Sequence, residues 1–267
     1  MTIWLDGALR PSGQAAIDPT DRGFTLGDGV FETMRLSGGR VAHLGRHLAR
    51  LRAGAALLEI AVPWSDEALS EGIVLLAQAC EAVDGVARLT LSRGPAARGL
   101  LPAIHGRPTT LITAGREPAP SSPVALVICE TTRRNQMSPL SRIKSLNYLD
   151  GVLARMEAAR RDATDAVLLN THGLVAEASG ASVVALLDGT LVTPPVADGA
   201  LPGIARAVLL ERGEVVERSM QPETLGQADA VFLVNALGVR WVQRLGGRQM
   251  GERGELLARL KDIMQQD

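Results

Sequence analysis

Lysine is almost missing from this chain. Of its 28 basic residues only Lys144 and Lys261 are lysine, and the first lies in an apolar stretch, Arg142-Ile143-Lys144-Ser145-Leu146-Asn147-Tyr148. Arginine carries surface charge and binds carboxylates and phosphates, often better than lysine. It cannot lose its proton at ordinary pH and attack a carbonyl as an amine. Two readings of Lys144 stand side by side: either an amine is needed here, or arginine-rich codon usage has left one lysine behind. Neighbouring residues have to decide.

Those neighbours supply the rest of a cofactor site. Burial among Ile143 and Leu146 would disfavour the charged ammonium and favour a nucleophilic amine. Glu177 is a carboxylate in an apolar, small-residue run, Leu174-Val175-Ala176-Glu177-Ala178-Ser179. Leu201-Pro202-Gly203-Ile204-Ala205-Arg206 opens a helix whose first N–H groups could meet an anion. Arg50 lies on an early helix, and Asn235-Ala236-Leu237-Gly238 follows a strand. Pyridoxal phosphate requires such a set: an amine, an acid at the pyridine nitrogen, a phosphate cradle and a group against the ring. Each signal also has a plain structural reading, as a strand-end acid, a solvated helix arginine or a turn asparagine; their co-occurrence carries the argument.

Other chemistries find less support. Neither G-x-G-x-x-G after a strand nor G-x-x-x-x-G-K-[ST] occurs, and there is no G-x-S-x-G elbow. His43, His47, His105 and His172 share no metal-ligand spacing with Cys80 and Cys129. A formal net charge of −1 implies no broad attraction to nucleic acid or anionic membranes. No apolar run reaches the ~20 residues of a membrane helix, and Met1-Thr2-Ile3-Trp4-Leu5 does not read as a signal peptide. Two cysteines in apolar runs read as buried thiols. The expectation is a cytoplasmic globular protein, 46% apolar and 21% charged.

The elements that must position these residues are read from turns and periodicity. Asp6-Gly7, Ser37-Gly38-Gly39 and Asp188-Gly189 separate short apolar segments as hairpin turns would. Leu44, Leu48, Leu51, Ala55 and Leu58 repeat at helical spacing, as do Leu69, Ile73, Leu76 and Cys80. Residues 86–92, 109–114, 124–129, 166–169, 183–187 and 231–234 read as strands, and 150–161, 203–211 and 252–264 as helices. The Pro/Ser-rich stretch 116–123 reads as a linker between a smaller domain, 1–115, and a larger one, 124–267, that carries Lys144. Without a regular βαβ rhythm, a mixed α/β protein of two α+β lobes is expected.

With these residues in place, the chain resembles the fold-type IV (class IV) pyridoxal-phosphate aminotransferases. That group includes D-amino-acid and branched-chain aminotransferases and the aminodeoxychorismate lyases. The resemblance runs from Asp21-Arg22-Gly23-Phe24-Thr25-Leu26-Gly27-Asp28-Gly29-Val30-Phe31-Glu32 through His47-Leu48-Ala49-Arg50-Leu51, Ser92-Arg93-Gly94 and Ile143-Lys144-Ser145-Leu146-Asn147. It continues through Glu177 and Leu191-Val192-Thr193 to Leu201-Pro202-Gly203-Ile204-Ala205-Arg206. It implies that Lys144 forms the Schiff base with pyridoxal 5′-phosphate and moves the substrate's α-proton. It further implies that Glu177 pairs with the pyridine nitrogen, and that Arg50, Gly203, backbone at Ile204 and Ala205, and the Asn235-Ala236 loop hold the phosphate. Leu201 would pack on the ring, and Tyr148 would donate to the phenolate oxygen. A homodimer acting on an amino acid and a 2-oxo acid is implied too. The chain departs from the family pattern in having Ser182-Val183-Val184 where an asparagine, an apolar and an aromatic residue are usual, and Ala205 at a position often held by threonine.

For substrate, Phe31, Arg98 and Leu100 stand where D-amino-acid enzymes place a carboxylate trap of tyrosine, arginine and histidine, so only the arginine is kept. Phe31-Glu32-Thr33 resembles the lyases, with Thr33 at a site some of them use, whereas the run from Lys144 to Ala154 is closer to the aminotransferases. Transamination is the first expectation; elimination of pyruvate from aminodeoxychorismate is the alternative.

Overall fold

The computed structural model describes residues 1–102, 106–116 and 123–265. The chain divides into two compact units, Met1–Pro118 with Ile143–Asn147, and Ala119–Arg142 with Tyr148–Asp267. Most of the expected linker, 117–122, lies outside the described residues. The segment bearing Lys144 counts with the first unit, not with the 124–267 domain expected from sequence. The reason is local: it pairs with the strand Gly29–Ser37 of the first unit, with Ser145 bridged to Val30.

The first unit is an antiparallel six-stranded sheet covered by two helices. Its strands are β1 (Thr2–Leu5), β2 (Ala8–Pro11), β3 (Gly29–Ser37), β4 (Arg40–Val41), β5 (Gly85–Ser92) and β6 (Thr109–Gly115), in the order β2-β1-β6-β5-β3-β4. A short helix α1 (Arg22–Leu26) precedes β3, and α2 (Leu44–Leu57) and α3 (Asp66–Ala79) follow β4. The β1–β2 turn places Asp6 and Gly7 at φ 46° and 91°, the left-handed pair that a two-residue hairpin requires. Along β3, Val30, Glu32, Met34 and Leu36 point to one face and are buried, so the period-two pattern sets the core side. Leu48, Leu51 and Ala55 of α2 and Leu69, Ile73 and Leu76 of α3 join that core, together with Ile143.

The second unit holds a mixed nine-stranded sheet. It comprises β7 (Val124–Ile128), β8 (Asp165–Leu169), β9 (Val175–Ala178), β10 (Ser182–Leu187), β11 (Thr190–Thr193), β12 (Val216–Glu217), β13 (Ala230–Asn235), β14 (Gly238–Leu245) and β15 (Arg248–Gln249). The order is β12-β11-β10-β13-β14-β7-β8-β9, with β15 on β14; β7 runs parallel to both β14 and β8. Helices α4 (Leu149–Arg160), α5 (Ile204–Glu211), α6 (Pro222–Gln227) and α7 (Gly254–Gln265) complete it. Strands β8 and β13 are almost continuously apolar and buried, as expected of strands covered on both faces. Strand β14 is not evident from sequence, because a register shift between Val242 and Arg244 breaks its alternation.

One buried carboxylate staples the loop after β7. Glu157 of α4 accepts the N–H groups of Glu130 and Thr131 at 3.0 and 2.9 Å and the Thr131 hydroxyl at 2.5 Å. Burial pushes this carboxyl up, but those bonds outweigh it and hold it at about 2, against an ordinary 4.5. Burial, with the hydrogen bond that its Sγ donates to Glu157 Oε2, pushes the neighbouring Cys129 thiol up. Because the folded value of Glu157 is depressed, its contribution is fully present above pH 4.5 and is lost as pH falls toward 2. At about 1.4 kcal/mol per tenfold change in proton affinity, that contribution is at most about 3 kcal/mol. Urea unfolding followed from neutral pH to about pH 3 should show this acid-side loss, and Glu157→Gln should flatten it while lowering stability at neutral pH.

Candidate active site

In the first unit, backbone pairing fixes the lysine. Phe31 N–H donates to Lys144 O and Leu146 N–H to Gly29 O, both at 2.9 Å. Ile143 and Ser145 turn inward and are buried, so strand alternation sends Lys144 to the opposite side, half-buried. Its Nζ stands 4.5 Å from the centre of the Phe31 ring. Thr33 lies two residues along β3 on the same face. Arg88, opposite Thr33 on β5, sets its guanidinium 3.7 Å from the same ring. A cavity of about 410 Å³ in this unit is lined by Thr90, the β5 partner of Phe31, and by Asp21, Phe24, Ser92, Leu111 and Leu146 among others.

Arg50 is placed differently. It grips Glu32, with Nε on Oε1 and Nη2 on Oε2 at 2.7 Å each, and His47 Nδ1 lies 2.7 Å from the same Oε2. An ionised carboxylate only accepts, so His47 Nδ1 is the donor. Glu32 is fully buried on the core face of β3, whereas Phe31 and Thr33 point to the other. Burial pushes the Glu32 carboxyl up, yet His47 and Arg50 together hold it below the usual range. Arg98 is exposed, in a loop whose Gly99 and Leu100 carbonyls accept from Arg22 at 2.7 and 2.8 Å. Thus Lys144, Phe31 and Thr33 share a face of β3, and Arg50 is anchored to the Glu32 carboxylate.

The second unit gathers the rest. Glu177, on β9, has Oε1 2.9 Å from Arg134 Nε and accepts the Leu201 N–H on Oε2 at 3.0 Å. Leu201 is buried just before α5, whose N-cap Gly203 offers no side-chain hydrogen bond to the first turn, where Ile204 and Ala205 lie. A Cβ on Gly203 would stand 3.1 Å from Ser182 Oγ, so this backbone approach is one that glycine suits. Asn235 closes β13 and donates to Gly180 O at 3.1 Å, and Ala236 occupies the two-residue turn to Gly238. Tyr148 is the N-cap residue of α4. A Cβ on Gly151 would meet Ser179 O at 2.7 Å, so glycine there lets the first turn of α4 lie against the strand end that follows Glu177.

Four residues of these constellations have no role that the sequence pattern assigns. Glu32 and His47 lie inside the family motifs without one, although an acid on the inward face of an otherwise apolar strand is itself a signal. Arg88 follows the same logic as an outward cation between inward Ala87 and Leu89. Arg134 reads as one of a pair of loop arginines, and nothing in its neighbours points to Glu177.

With the geometry in hand, comparison with known proteins is direct. The profile of the amino-transferase class IV family matches residues 29–245. The chain belongs to that family. It is 32% identical over 272 residues to a Methanocaldococcus jannaschii protein assigned as a branched-chain-amino-acid aminotransferase, with 98% of this chain and 94% of that one covered. It is 29% identical over 246 residues to the D-alanine aminotransferase of Bacillus licheniformis, covering 88% and 84%. The solved 4-amino-4-deoxychorismate lyase of Pseudomonas aeruginosa is similar at 33% identity, with 97% of each chain covered and a TM-score of 0.82. The architecture is the two-domain, α+β fold-type IV arrangement of this class IV family.

Enzymes of this family use pyridoxal phosphate. The residues here fit that group: an amine on a segment hydrogen-bonded to β3, a carboxylate with a bound counter-ion, and a helix start whose N-cap glycine offers no side-chain cap. Among the described residues, no group of His, Cys, Asp and Glu could hold a metal, and no helix is long and apolar enough to cross a membrane.

Replacing Glu32 by alanine would leave Arg50 and His47 without their buried carboxylate. Loss of about 3 kcal/mol is expected from denaturant unfolding of the cofactor-free protein, with Glu32→Gln losing less.

Proposed function

We propose that this class IV enzyme is an aminotransferase, moving an amino group between a small amino acid, of D or branched-chain type, and a 2-oxo acid. The observation that carries the reading is the Lys144 amine held over Phe31 on a face that also presents Arg88 and Thr33. When bound, pyridoxal phosphate supplies an aldehyde for an amine and an electron sink for charge left at the substrate's Cα. Lys144 Nζ would be the amine that holds that aldehyde and the base that takes and returns the Cα proton. Glu177 would hold a proton at the ring nitrogen, and its ties to Arg134 and Leu201 fix where its oxygens point. The first N–H groups of α5, at Ile204 and Ala205, would hold the phosphate with Gly203 and the Asn235-Ala236 turn, and Arg50 would add a cation to it. Leu201 would pack on the ring, and Tyr148 would donate to its phenolate oxygen. Arg88 or Arg98 would meet a substrate carboxylate, and Phe31 favours an apolar side chain. Two free thiols agree with the cytoplasm, and a homodimer is the assembly proposed.

A second reading has its own support, the 33% identity with the Pseudomonas aeruginosa lyase: Lys144 would remove the same proton, but pyruvate would leave with no acceptor needed.

The test is the visible absorbance of the purified protein before and after D-alanine, L-leucine or L-glutamate. A cofactor band bleached by one donor alone supports transamination and gives its stereochemistry. A band that persists with every donor, with pyruvate released from aminodeoxychorismate, supports the lyase. No band after added cofactor would overturn both. Lys144→Ala should abolish the visible band of the lysine-linked cofactor and lower turnover about a thousand-fold or more.

A further inference from the structure

Arg134 stands where three segments of the second unit converge. Its Nε lies 2.9 Å from Glu177 Oε1 and 3.3 Å from Gly199 O, and its Nη2 donates to Ser141 O at 3.1 Å. The first partner is on β9, the second precedes Leu201 and the start of α5, and the third is three residues before Lys144. Glu177 closes the triangle by accepting the Leu201 N–H on its other oxygen. A planar guanidinium addresses a carboxylate and two carbonyls on separate segments in one fixed geometry; an ammonium has three donors but no such fork.

The arginine is itself held by its loop. Arg133, its neighbour, directs Nη1 at the carbonyls of Cys129, Glu130 and Thr132, while Glu157 takes the N–H groups of Glu130 and Thr131. Arg134 N–H donates to Leu169 O at 2.9 Å. Donors and acceptors of residues 129–134 are thus both tied down, and the Arg134 side chain projects from a fixed root.

Resting on the reading of Glu177 as the acid at the pyridine nitrogen, we infer that Arg134 is a positioning residue for that nitrogen. Its positive charge favours the anionic carboxylate, and its ion pair with Oε1, on the other side from the Leu201 hydrogen bond to Oε2, fixes how the carboxylate is turned. Arg134 does not touch the reacting atoms. Through Glu177 it sets how well the ring nitrogen keeps its proton, and through Gly199 and Ser141 it aligns the lead-ins to α5 and to Lys144.

The experiment compares wild type, Arg134→Gln, Arg134→Lys, Glu177→Gln and the double variant Arg134→Gln/Glu177→Gln, each loaded with pyridoxal phosphate. The readouts are the pH midpoint of the bound cofactor's visible absorbance and the cofactor dissociation constant, with the cofactor-free fold checked by circular dichroism. Removing a nearby cation favours protonated forms, so Arg134→Gln should move the midpoint upward by about one pH unit and weaken cofactor binding about tenfold. Arg134→Lys should restore most of the midpoint, which depends on charge, and less of the affinity, which depends on the fork. In the Glu177→Gln background, removing Arg134 should move the midpoint little further, because the carboxylate through which it acts is gone. A wild-type midpoint in Arg134→Gln overturns the inference, as does a shift of the same size with and without Glu177. If Arg134→Gln does not fold, Arg134→Lys decides: a wild-type midpoint with weakened binding supports the inference, and wild-type values of both overturn it. Absence of a cofactor band in the wild type would instead overturn the underlying assignment of the enzyme.

Discussion

A lysine can act as a nucleophile at a fixed carbon only if its own backbone does not move. Here that constraint is met by strand pairing: the hydrogen bonds Phe31 N–H to Lys144 O and Leu146 N–H to Gly29 O make residues 143–147 a short accessory to β3. Everything else in the first unit follows from where β3 lies. Its inward row anchors the core and the Glu32 carboxylate, and its outward row meets the amine. The chain interrupts the second unit for residues 143–147 to obtain this pairing. A loop of the same length without the two bonds would leave the ammonium exploring rotamers and backbone states alike, with the entropy cost borne at each turnover.

The second unit solves the matching problem for a carboxylate. An acid buried without a partner would neutralise itself by binding a proton. Glu177 is given a cation and a backbone donor instead, and the cation is rooted in a loop that Glu157 and Arg133 staple from opposite sides. The same pattern recurs at Asp165, which is buried against Arg155, Arg240 and the hydroxyl of Ser179, two residues beyond Glu177. Glu32, Glu157, Asp165 and Glu177 are thus buried acids that each have an arginine of their own.

How much of this is legible in the amino-acid sequence depends on the range of the interaction. Hairpins at Asp6-Gly7 and Asp188-Gly189, and helices with rows such as Leu44 to Leu58, are written in nearest-neighbour chemistry and periodicity, and the fold has them where those patterns put them. Lys144, Glu177 and Gly203 stand out because each is an exception to its surroundings. Pairing across sequence distance is not legible. That residues 143–147 join β3 rather than their sequential neighbours depends on a register that no local pattern encodes. Arg134 and Glu177 are far apart in sequence, and an arginine beside another arginine in a polar loop looks like any solvated surface. Strand β14 is hidden by a bulge, which removes the alternation by which strands are recognised.

The near-absence of lysine acquires a physical sense from these contacts. Arg22 uses its fork to join Asp28 to the carbonyls of Gly99 and Leu100, Arg93 joins the same aspartate to the carbonyls of Leu58 and Glu59, and Arg134 joins three segments. In each case a rigid, permanently charged group bridges acceptors that belong to different parts of the chain, and an ammonium would reach them with no fixed geometry among them. Burial penalises the charged form of an amine but leaves a guanidinium ionised, so arginine is also the safer cation in these half-dry places. The property that makes lysine a poor clasp, its readiness to give up a proton when desolvated, is the one a nucleophile requires. A fold that relies on arginine for its clasps can therefore keep its amine at Lys144 chemically distinct from every cation around it.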